Sequence, residues 1–215
     1  RIYFLFNKSN ISEINWKQKW LYKKNICQAF FNCYGQKLDL ENPKTFSEKM
    51  QWLRVYDNSS QKTKLSDKYF VREWVKNNIG EKYLIPLLGV CKKFDEINFD
   101  KLPNRFVIKC NHGCGYNIIV RDKSKLDINE TKTKVNNWIN ENYAYLFGEY
   151  QYKKIKPKII IEKYLKNTGD DIYDYKYFCF NGQPKYILHC FDRSSGILKN
   201  SFYDMDWKKQ NFVYT

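Results

Sequence analysis

Long apolar runs and short diagnostic motifs are both missing from this sequence. No stretch reaches the roughly 18 consecutive apolar residues of a membrane-spanning helix, and no signal peptide is recognisable. There is no G-x-x-x-x-G-K-[ST] loop, no strand followed by G-x-G-x-x-G and a helix, and no nucleophile elbow. The two nucleotide-binding folds with the strongest signatures, and the common serine hydrolases, are therefore not indicated.

The cysteines do not form a recognisable set. There are seven, an odd number, and only Cys110 and Cys114 lie close together, with His112 between them. No second pair completes a zinc site, and nothing in the sequence orients a thiol for catalysis. Free thiols in a reducing cytoplasm are the better interpretation, and the predicted localisation is therefore cytoplasmic.

Negative charge is scarce relative to positive charge. The sequence has 38 Lys+Arg against 23 Asp+Glu, a net charge of +15. Such a surplus indicates an anionic partner: nucleotide phosphates, an acidic polysaccharide, an anionic membrane face or nucleic acid. A Lys-rich composition inherited from an AT-rich genome would look the same, so charge alone decides nothing. No motif for DNA or RNA binding is recognisable, and nucleic acid is not expected as a partner.

Predicted helices come first and predicted strands follow, which favours an α+β fold with mostly antiparallel sheets. In the first helix, Trp20, Ile26, Phe30 and Phe31 form an apolar stripe that more often faces a core than a membrane, and Gly35 ends it. Thr45 and Glu48 predict a capping box for the second, with Phe46, Met50, Leu53 and Val55 as its buried face. Further helices are predicted over 67–78 and 127–145, and strands over 83–90, 106–109, 117–120, 158–165, 173–182 and 185–193. Pro86 places strand 83–90 at a sheet edge or a bulge.

The stretch 105–120 has the composition of a phosphate-binding strand and loop. Lys109 stands where the first strand ends, and Gly113 and Gly115 lie in the loop that follows. Lys would supply a point charge and the loop would supply peptide N–H groups. An ordinary β-hairpin with an exposed Lys is the simpler interpretation of these residues alone.

Three other strands carry charged residues that could contact a nucleotide. Glu162 ends an apolar strand, where backbone groups could pair with a purine. Asp174 and Lys176 lie two apart, hence on one strand face, opposite the alternating tyrosines. Arg193 follows a strand and offers a bidentate fork. Each also has a structural interpretation: a strand end that meets solvent, or a cross-strand ion pair.

Taken together, several stretches resemble one family. NPKTFSEKMQWLRVYD (42–57), DKYFVREWVKNNIGEKYLIPLLG (67–89), FVIKCNHGCGYNIIV (106–120) and the run from IIIEKYL to FYDMDW (159–207) are similar, in order, to the TupA-like branch of the ATP-grasp superfamily. The resemblance implies an ATP-grasp-like α+β fold: a helical N-terminal region (1–60), a first lobe with a glycine flap (61–157) and the start of a second lobe (158–215). ATP-grasp enzymes clamp ATP between two lobes and activate a carboxylate as an acyl phosphate, which an amine then attacks.

The resemblance also implies roles for particular residues. Lys68 and Lys109 would contact phosphates, His112, Gly113 and Gly115 would form the flap, and Glu162 and Tyr164 would lie at the adenine hinge. Asp174 and Lys176 would hold ribose and phosphate, and Arg193 would stabilise the γ-phosphate or acyl phosphate. The family uses Mg²⁺, but its metal-binding carboxylate and Asn lie nearer the C-terminus than any pattern found here. The metal ligands are therefore expected beyond Thr215, and the initial Arg suggests that an N-terminal part has been removed.

Three functions follow from this resemblance. The first is an ATP- and Mg²⁺-dependent carboxylate–amine ligase that joins an amine or amino acid to an acidic sugar of a capsule or teichuronopeptide-like polymer. The second is a nucleotide- or polyanion-binding module without turnover, and the third is a glycosyltransferase of the same pathway. Contact of the basic, aromatic N-terminal segment with the inner membrane face is a further expectation.

Overall fold

The computed structural model describes residues 16–57, 59–165, 173–191 and 199–212. Within these ranges the chain forms six α-helices and seven strands, and the strands make two antiparallel sheets. The helices are α1 (Trp16–Tyr34), α2 (Phe46–Tyr56), α3 (Ser60–Ser66), α4 (Phe70–Asn78), α5 (Ile128–Asn140) and α6 (Tyr143–Phe147). The strands are β1 (Leu87–Cys91), β2 (Phe106–Cys110), β3 (Asn117–Val120), β4 (Ile159–Lys163), β5 (Asp174–Phe180), β6 (Gln183–Phe191) and β7 (Lys199–Asp204). The predicted α+β class is confirmed. None of the helices in the described ranges is long and apolar enough to cross a membrane.

Helix α1 buries one stripe and leaves other aromatic residues in solvent. Tyr22, Ile26 and Phe30 recur every four residues and are buried with residues that follow the helix. Gly35 adopts a left-handed φ of +67° and donates its N–H to the Phe31 carbonyl at 2.8 Å, which ends the helix as predicted. The core-facing interpretation of this helix is confirmed, but Trp20 is 61% exposed and does not belong to the stripe.

Helix α2 begins as predicted but does not bury the predicted face. Thr45 accepts a hydrogen bond from the Glu48 N–H, and the Glu48 carboxylate accepts one from the Thr45 N–H, so the capping box is present. No residue of α2 is buried, and Phe46, Met50 and Leu53 are exposed. The prediction of a buried face was wrong for these three residues, whereas Val55 is half-buried and packs against the buried cluster of α1. Periodicity identifies an apolar side of a helix without showing how much of it is covered.

The first sheet has the strand order β1-β4-β2-β3, with β4 and β2 at its centre. Strand β1 begins directly after Pro86, lies at an edge and has an irregular register between Leu87 and Gly89, as the proline predicted. One face of the sheet packs against α5, whose Val135 is fully buried. Ile108 of β2 and Ile161 of β4 oppose each other on that face. Lys109 of β2 and Glu162 of β4 consequently lie on the other face.

The single predicted helix over 127–145 is two helices. Helix α5 is capped by the Asp127 side chain, which accepts from the Glu130 N–H. It ends after Asn140, and the Asn142 side chain accepts from the Ala144 N–H to begin α6. The break follows from Asn142, a residue type that favours helix N-caps over helix interiors.

The second sheet is the three-stranded meander β5-β6-β7. Asn181 and Gly182 join β5 to β6, and both have positive φ, as a tight hairpin turn requires. Contacts divide the chain into two compact units, 1–164 and 165–215. The second predicted lobe starts earlier, at 158, whereas β4 pairs with β1 and β2 and therefore belongs to the first unit.

Candidate functional site

Lys109 and Glu162 meet on the face of the first sheet that is turned away from α5. In the antiparallel register, Val107 pairs with Glu162 and Lys109 pairs with Ile160, so Lys109 and Glu162 are diagonal neighbours on one face. The Lys109 Nζ lies 2.5 Å from Glu162 Oε2. The Glu162 side chain is only 8% exposed, so its charge depends on this partner.

Arg72 of α4 brings a second cation to the same carboxylate. Its Nη1 lies 3.1 Å from Glu162 Oε1, and its Nη2 donates to the Ile85 carbonyl that precedes β1. Each carboxylate oxygen therefore has its own cation. Because Lys109 and Arg72 together carry two positive charges against one negative charge, the group keeps a surplus positive charge.

Lys68 adds a third cation near this group. Its ammonium donates to the carbonyl of Gly113 in the loop after β2. Burial lowers the pKa of Lys68, and the nearby charge of Lys109 lowers it further. A buried ammonium with a neutral partner gains most from an anion that comes within reach, since burial has already removed much of its hydration.

Asn111 is the residue that places Lys68 beside β2. Its fully buried side chain donates to Asp67 Oδ1 at 2.9 Å and to the Lys156 carbonyl at 3.1 Å, and it accepts from the Lys158 N–H at 2.7 Å. Its backbone carbonyl accepts from the Lys68 N–H. Asp67 Oδ1 also accepts from the first N–H groups of α4. The side chain of Asn111 therefore joins the approach to α4, the end of β2 and the approach to β4.

The two glycines of the loop after β2 have different surroundings: Gly113 is tightly packed, and Gly115 faces open space. A Cβ on Gly113 would lie 2.6 Å from the Tyr116 ring and 2.8 Å from the Tyr143 ring, so only glycine fits there. Gly115 has a φ of +78° and nothing within 4 Å of where its Cβ would stand, which leaves the loop backbone open to a ligand. His112 is buried, and its Nε2 lies 2.8 Å from the Trp138 carbonyl in α5.

Three of the remaining predicted residues can be described. Tyr164 follows β4, and its ring centroid is 6.0 Å from the Arg105 guanidinium. Asp174 and Lys176 form an ion pair of 3.7 Å on β5, in the second unit. The register puts both on the face opposite Tyr175 and Tyr177, as predicted. Arg193 lies outside the described residues.

Two cations on one buried carboxylate, and a third cation on the neighbouring loop, suit a ligand that carries several negative charges. A profile of the TupA-like ATPgrasp family matches residues 48–215, well over half of the chain. The chain belongs to the TupA-like ATP-grasp family. Membership supports an ATP-dependent, ligase-like function. A search of curated proteins and a search of solved structures found no match.

The site residues fit the phosphates of ATP better than they fit a metal. Lys68, Lys109 and Arg72 are donors without an acceptor lone pair, the donor set that phosphate oxygens need. ATP-grasp enzymes generally use Mg²⁺ as well. In the described parts of the chain, no group of three or more His, Cys, Asp or Glu side chains could hold a metal ion. These residues therefore do not account for a Mg²⁺ site.

Sequence reasoning missed two residues of this site. Arg72 lies in the predicted helix 67–78 and was not predicted to belong to the site. It follows Lys68 by one helical turn, and that spacing could have indicated a second cation on the same side. Asn111 read as part of a polar loop, and no sequence signal shows that a loop Asn will be buried. Lys68, Lys109 and Glu162, which the family resemblance pointed to, lie together with them.

Proposed function

We propose that this TupA-like ATP-grasp protein is a carboxylate–amine ligase that acts on an acidic sugar of a bacterial surface polysaccharide, such as a capsule or a teichuronopeptide-like polymer. In the first step a carboxylate oxygen of the sugar attacks the γ-phosphorus of ATP, giving an acyl phosphate and ADP. In the second step the nitrogen of an amine or amino acid attacks the acyl carbon. The amine loses a proton, inorganic phosphate leaves and an amide remains.

The observation that supports this proposal is the cation group around Glu162. Lys109 and Arg72 hold the carboxylate between them, and the pKa of Lys68 is lowered by its burial and by the nearby charge of Lys109. In this proposal Lys68 and Lys109 bind phosphate oxygens, and Glu162 keeps Lys109 extended along the sheet.

The charge of the chain and its exposed aromatic residues support the remaining parts of the proposal. A net charge of +15 suits ATP and an acidic saccharide alike. Because ATP is available in the cytoplasm, we expect the reaction to take place there. On α1, Trp20 is exposed beside Lys23 and Lys24, a combination that suits contact with the anionic inner face of the membrane.

The test is release of ADP and of inorganic phosphate by the full-length protein, supplied with ATP, Mg²⁺, candidate uronic acids and candidate amines. We expect release that requires both an acid and an amine. The Lys109→Met variant should be slower by about a hundredfold, because it removes one donor to the transferring group. Lys101→Met, at an exposed lysine outside the site, is the matched control and should keep wild-type rates.

Two results would contradict the ligase. ADP release that is equal in wild type and Lys109→Met would show that the cation group does not serve the reaction. ATP binding without ADP formation for any acid and amine pair would favour the binding module instead.

A further inference from the structure

Arg72 and Lys109 both hold the Glu162 carboxylate, but they differ in what else they can contact. The Nη1 of Arg72 lies 3.1 Å from Glu162 Oε1, and its Nη2 donates to the Ile85 carbonyl. The Arg72 side chain is 14% exposed, and that of Lys109 is 27% exposed. The guanidinium therefore directs donors at the protein on two sides, whereas the Lys109 ammonium is the more accessible cation for a ligand.

Arg72 is fixed by the helix that carries it and by the carbonyl that it contacts. It is the third residue of α4, and N–H groups at the start of this helix donate to the Asp67 carboxylate. Ile85 directly precedes Pro86, and the Pro86 carbonyl accepts the N–H of Lys163 at 3.0 Å. The guanidinium is thus tied both to α4 and to the chain that pairs with the end of β4.

The charge of Arg72 determines how strongly Lys109 attracts an anion. A pair of Lys109 and Glu162 alone is neutral, so an approaching anion is attracted by the ammonium and repelled by the carboxylate. Arg72 offsets that carboxylate from its other oxygen. Charge interactions at such distances are larger within a protein than in water. With Arg72 present, the positive charge of Lys109 is left for a ligand.

We propose that Arg72 is a positioning residue that makes the site selective for the triphosphate of ATP, and that it acts through Glu162 without contacting the ligand. It offsets the charge of Glu162, and Lys109 keeps its own charge for phosphate oxygens. Because the attraction grows with the charge of the ligand, Arg72 favours ATP over AMP. This role rests on the proposed function, since ATP must bind at the cation group, but it requires neither the acid, the amine nor turnover.

The test is isothermal titration calorimetry of the full-length protein with ATP and with AMP, in a buffer with EDTA so that no metal ion offsets the charge of the phosphates. Arg72→Met turns Lys109 and Glu162 into a neutral pair, and should weaken ATP binding by about tenfold and AMP binding by about twofold. Arg72→Lys keeps the charge and should stay closer to wild type for ATP. Equal losses for ATP and AMP in Arg72→Met would indicate a structural role alone and would overturn the proposal.

The matched control is a second cation on the same helix. Lys76 lies one turn after Arg72, and its Nζ is 3.0 Å from the carboxylate of the exposed Glu81. Lys76→Met removes the same amount of charge from α4 outside the site, and should leave both affinities within about twofold of wild type. If Lys76→Met reduces ATP binding as much as Arg72→Met does, the effect belongs to the charge of the helix and the role of Arg72 is refuted.

A double variant shows whether Arg72 acts through Glu162. Arg72→Met/Glu162→Gln removes both of the less exposed charges and leaves Lys109, whose ammonium water can reach. The ratio of the AMP and ATP dissociation constants should return to within about twofold of the wild-type ratio, because the Lys109 charge is again unopposed. A ratio that stays as low as in Arg72→Met would show that Arg72 binds phosphate directly, which contradicts the proposal.

The two proposals fail in different ways. If wild-type protein does not bind ATP, the proposed function fails and the role of Arg72 fails with it. If wild type binds ATP and its preference over AMP does not depend on Arg72, only the role of Arg72 is refuted, and the test by ADP release is unaffected.

Discussion

The Glu162 carboxylate is buried away from water, and two cations take the place of its hydrating water molecules. Lys109 and Arg72 offset the desolvation of this carboxylate, and removing either of them would leave it less compensated, at a cost of up to several kcal/mol. Lys109 keeps 27% of its side chain in solvent, so a ligand can still reach it. The same ion pair therefore stabilises the sheet and keeps a cation ready for an anion, and a change at Lys109 should affect both properties.

Replacement of Lys109 by Met should show both effects, alone and when it is combined with a change at Glu162. Lys109→Met alone leaves the buried carboxylate with only Arg72, and should lower the free energy of unfolding by about 1–3 kcal/mol in urea denaturation. Lys109→Met/Glu162→Gln also removes the carboxylate but leaves the Arg72 guanidinium, which is only 14% exposed, without an anion, and should lower the free energy of unfolding further. ATP binding should be lost in both variants. Recovered ATP binding in the double variant would show that Lys109 is not a phosphate ligand.

His112 should make the protein less stable as the pH falls below about 6.5, the ordinary pKa of the ring. Burial lowers the pKa of His112 in the folded chain, so the unfolded chain takes up the proton first. Protonation then favours the unfolded state, and stability decreases from pH 6.5 down to the lowered pKa. Urea denaturation between pH 5 and 8 measures this, and His112→Asn should show a smaller decrease across the same range. A wild-type free energy of unfolding that is constant between pH 5 and 6.5 would contradict it.

At the scale of elements, the sequence predicted the positions of strands better than it predicted which helix residues are buried. Short β-branched runs such as 106–109 predicted strands well, because few other structures suit such residues. Met50 on α2 was predicted to be buried and is exposed, because burial depends on neighbours that periodicity does not identify. The site divides in the same way. Lys109 stands at a strand end and was predictable, whereas Arg72 and Asn111 act through contacts with residues far along the chain.

Thr45 is expected to stabilise α2 locally. No residue of α2 is buried, so its capping box is expected to contribute measurably to its stability. Thr45→Ala should lower the free energy of unfolding by about 1 kcal/mol, and hydrogen exchange of the first turn of α2 should become faster. Thr45→Ser keeps the hydroxyl acceptor and should stay near wild type. Unchanged exchange in Thr45→Ala would indicate that contacts other than the cap hold the helix.

At the scale of the whole molecule, the chain consists of two compact units. The first contains the sheet β1-β4-β2-β3, α5 and the cation group, and the second contains β5-β6-β7. No strand within the described ranges is shared between the two sheets. Each unit also has its own cluster of buried apolar residues. The predicted phosphate residues are accordingly divided, with Lys68 and Lys109 in one unit and Lys176 in the other.

A chain that ends at Tyr164 should therefore keep the fold of the first unit. All strands of its sheet and the core around Phe106 and Ile108 lie before residue 165. We expect cooperative urea unfolding, followed by far-UV circular dichroism, with strand signal retained. A truncated chain without a cooperative transition would show that the first unit needs the second to fold.

The hydrogen bonds of Asn111 have a consequence for the order of folding. Its side-chain partners are 44, 45 and 47 residues away along the sequence. Closing such long loops costs entropy before the bonds form, so these contacts belong late in folding. During synthesis from the N-terminus, Lys68 and Lys109 leave the ribosome well before Lys158 and Glu162. The nascent chain therefore carries these two lysines before their partners exist, and the candidate site forms only once β4 has emerged.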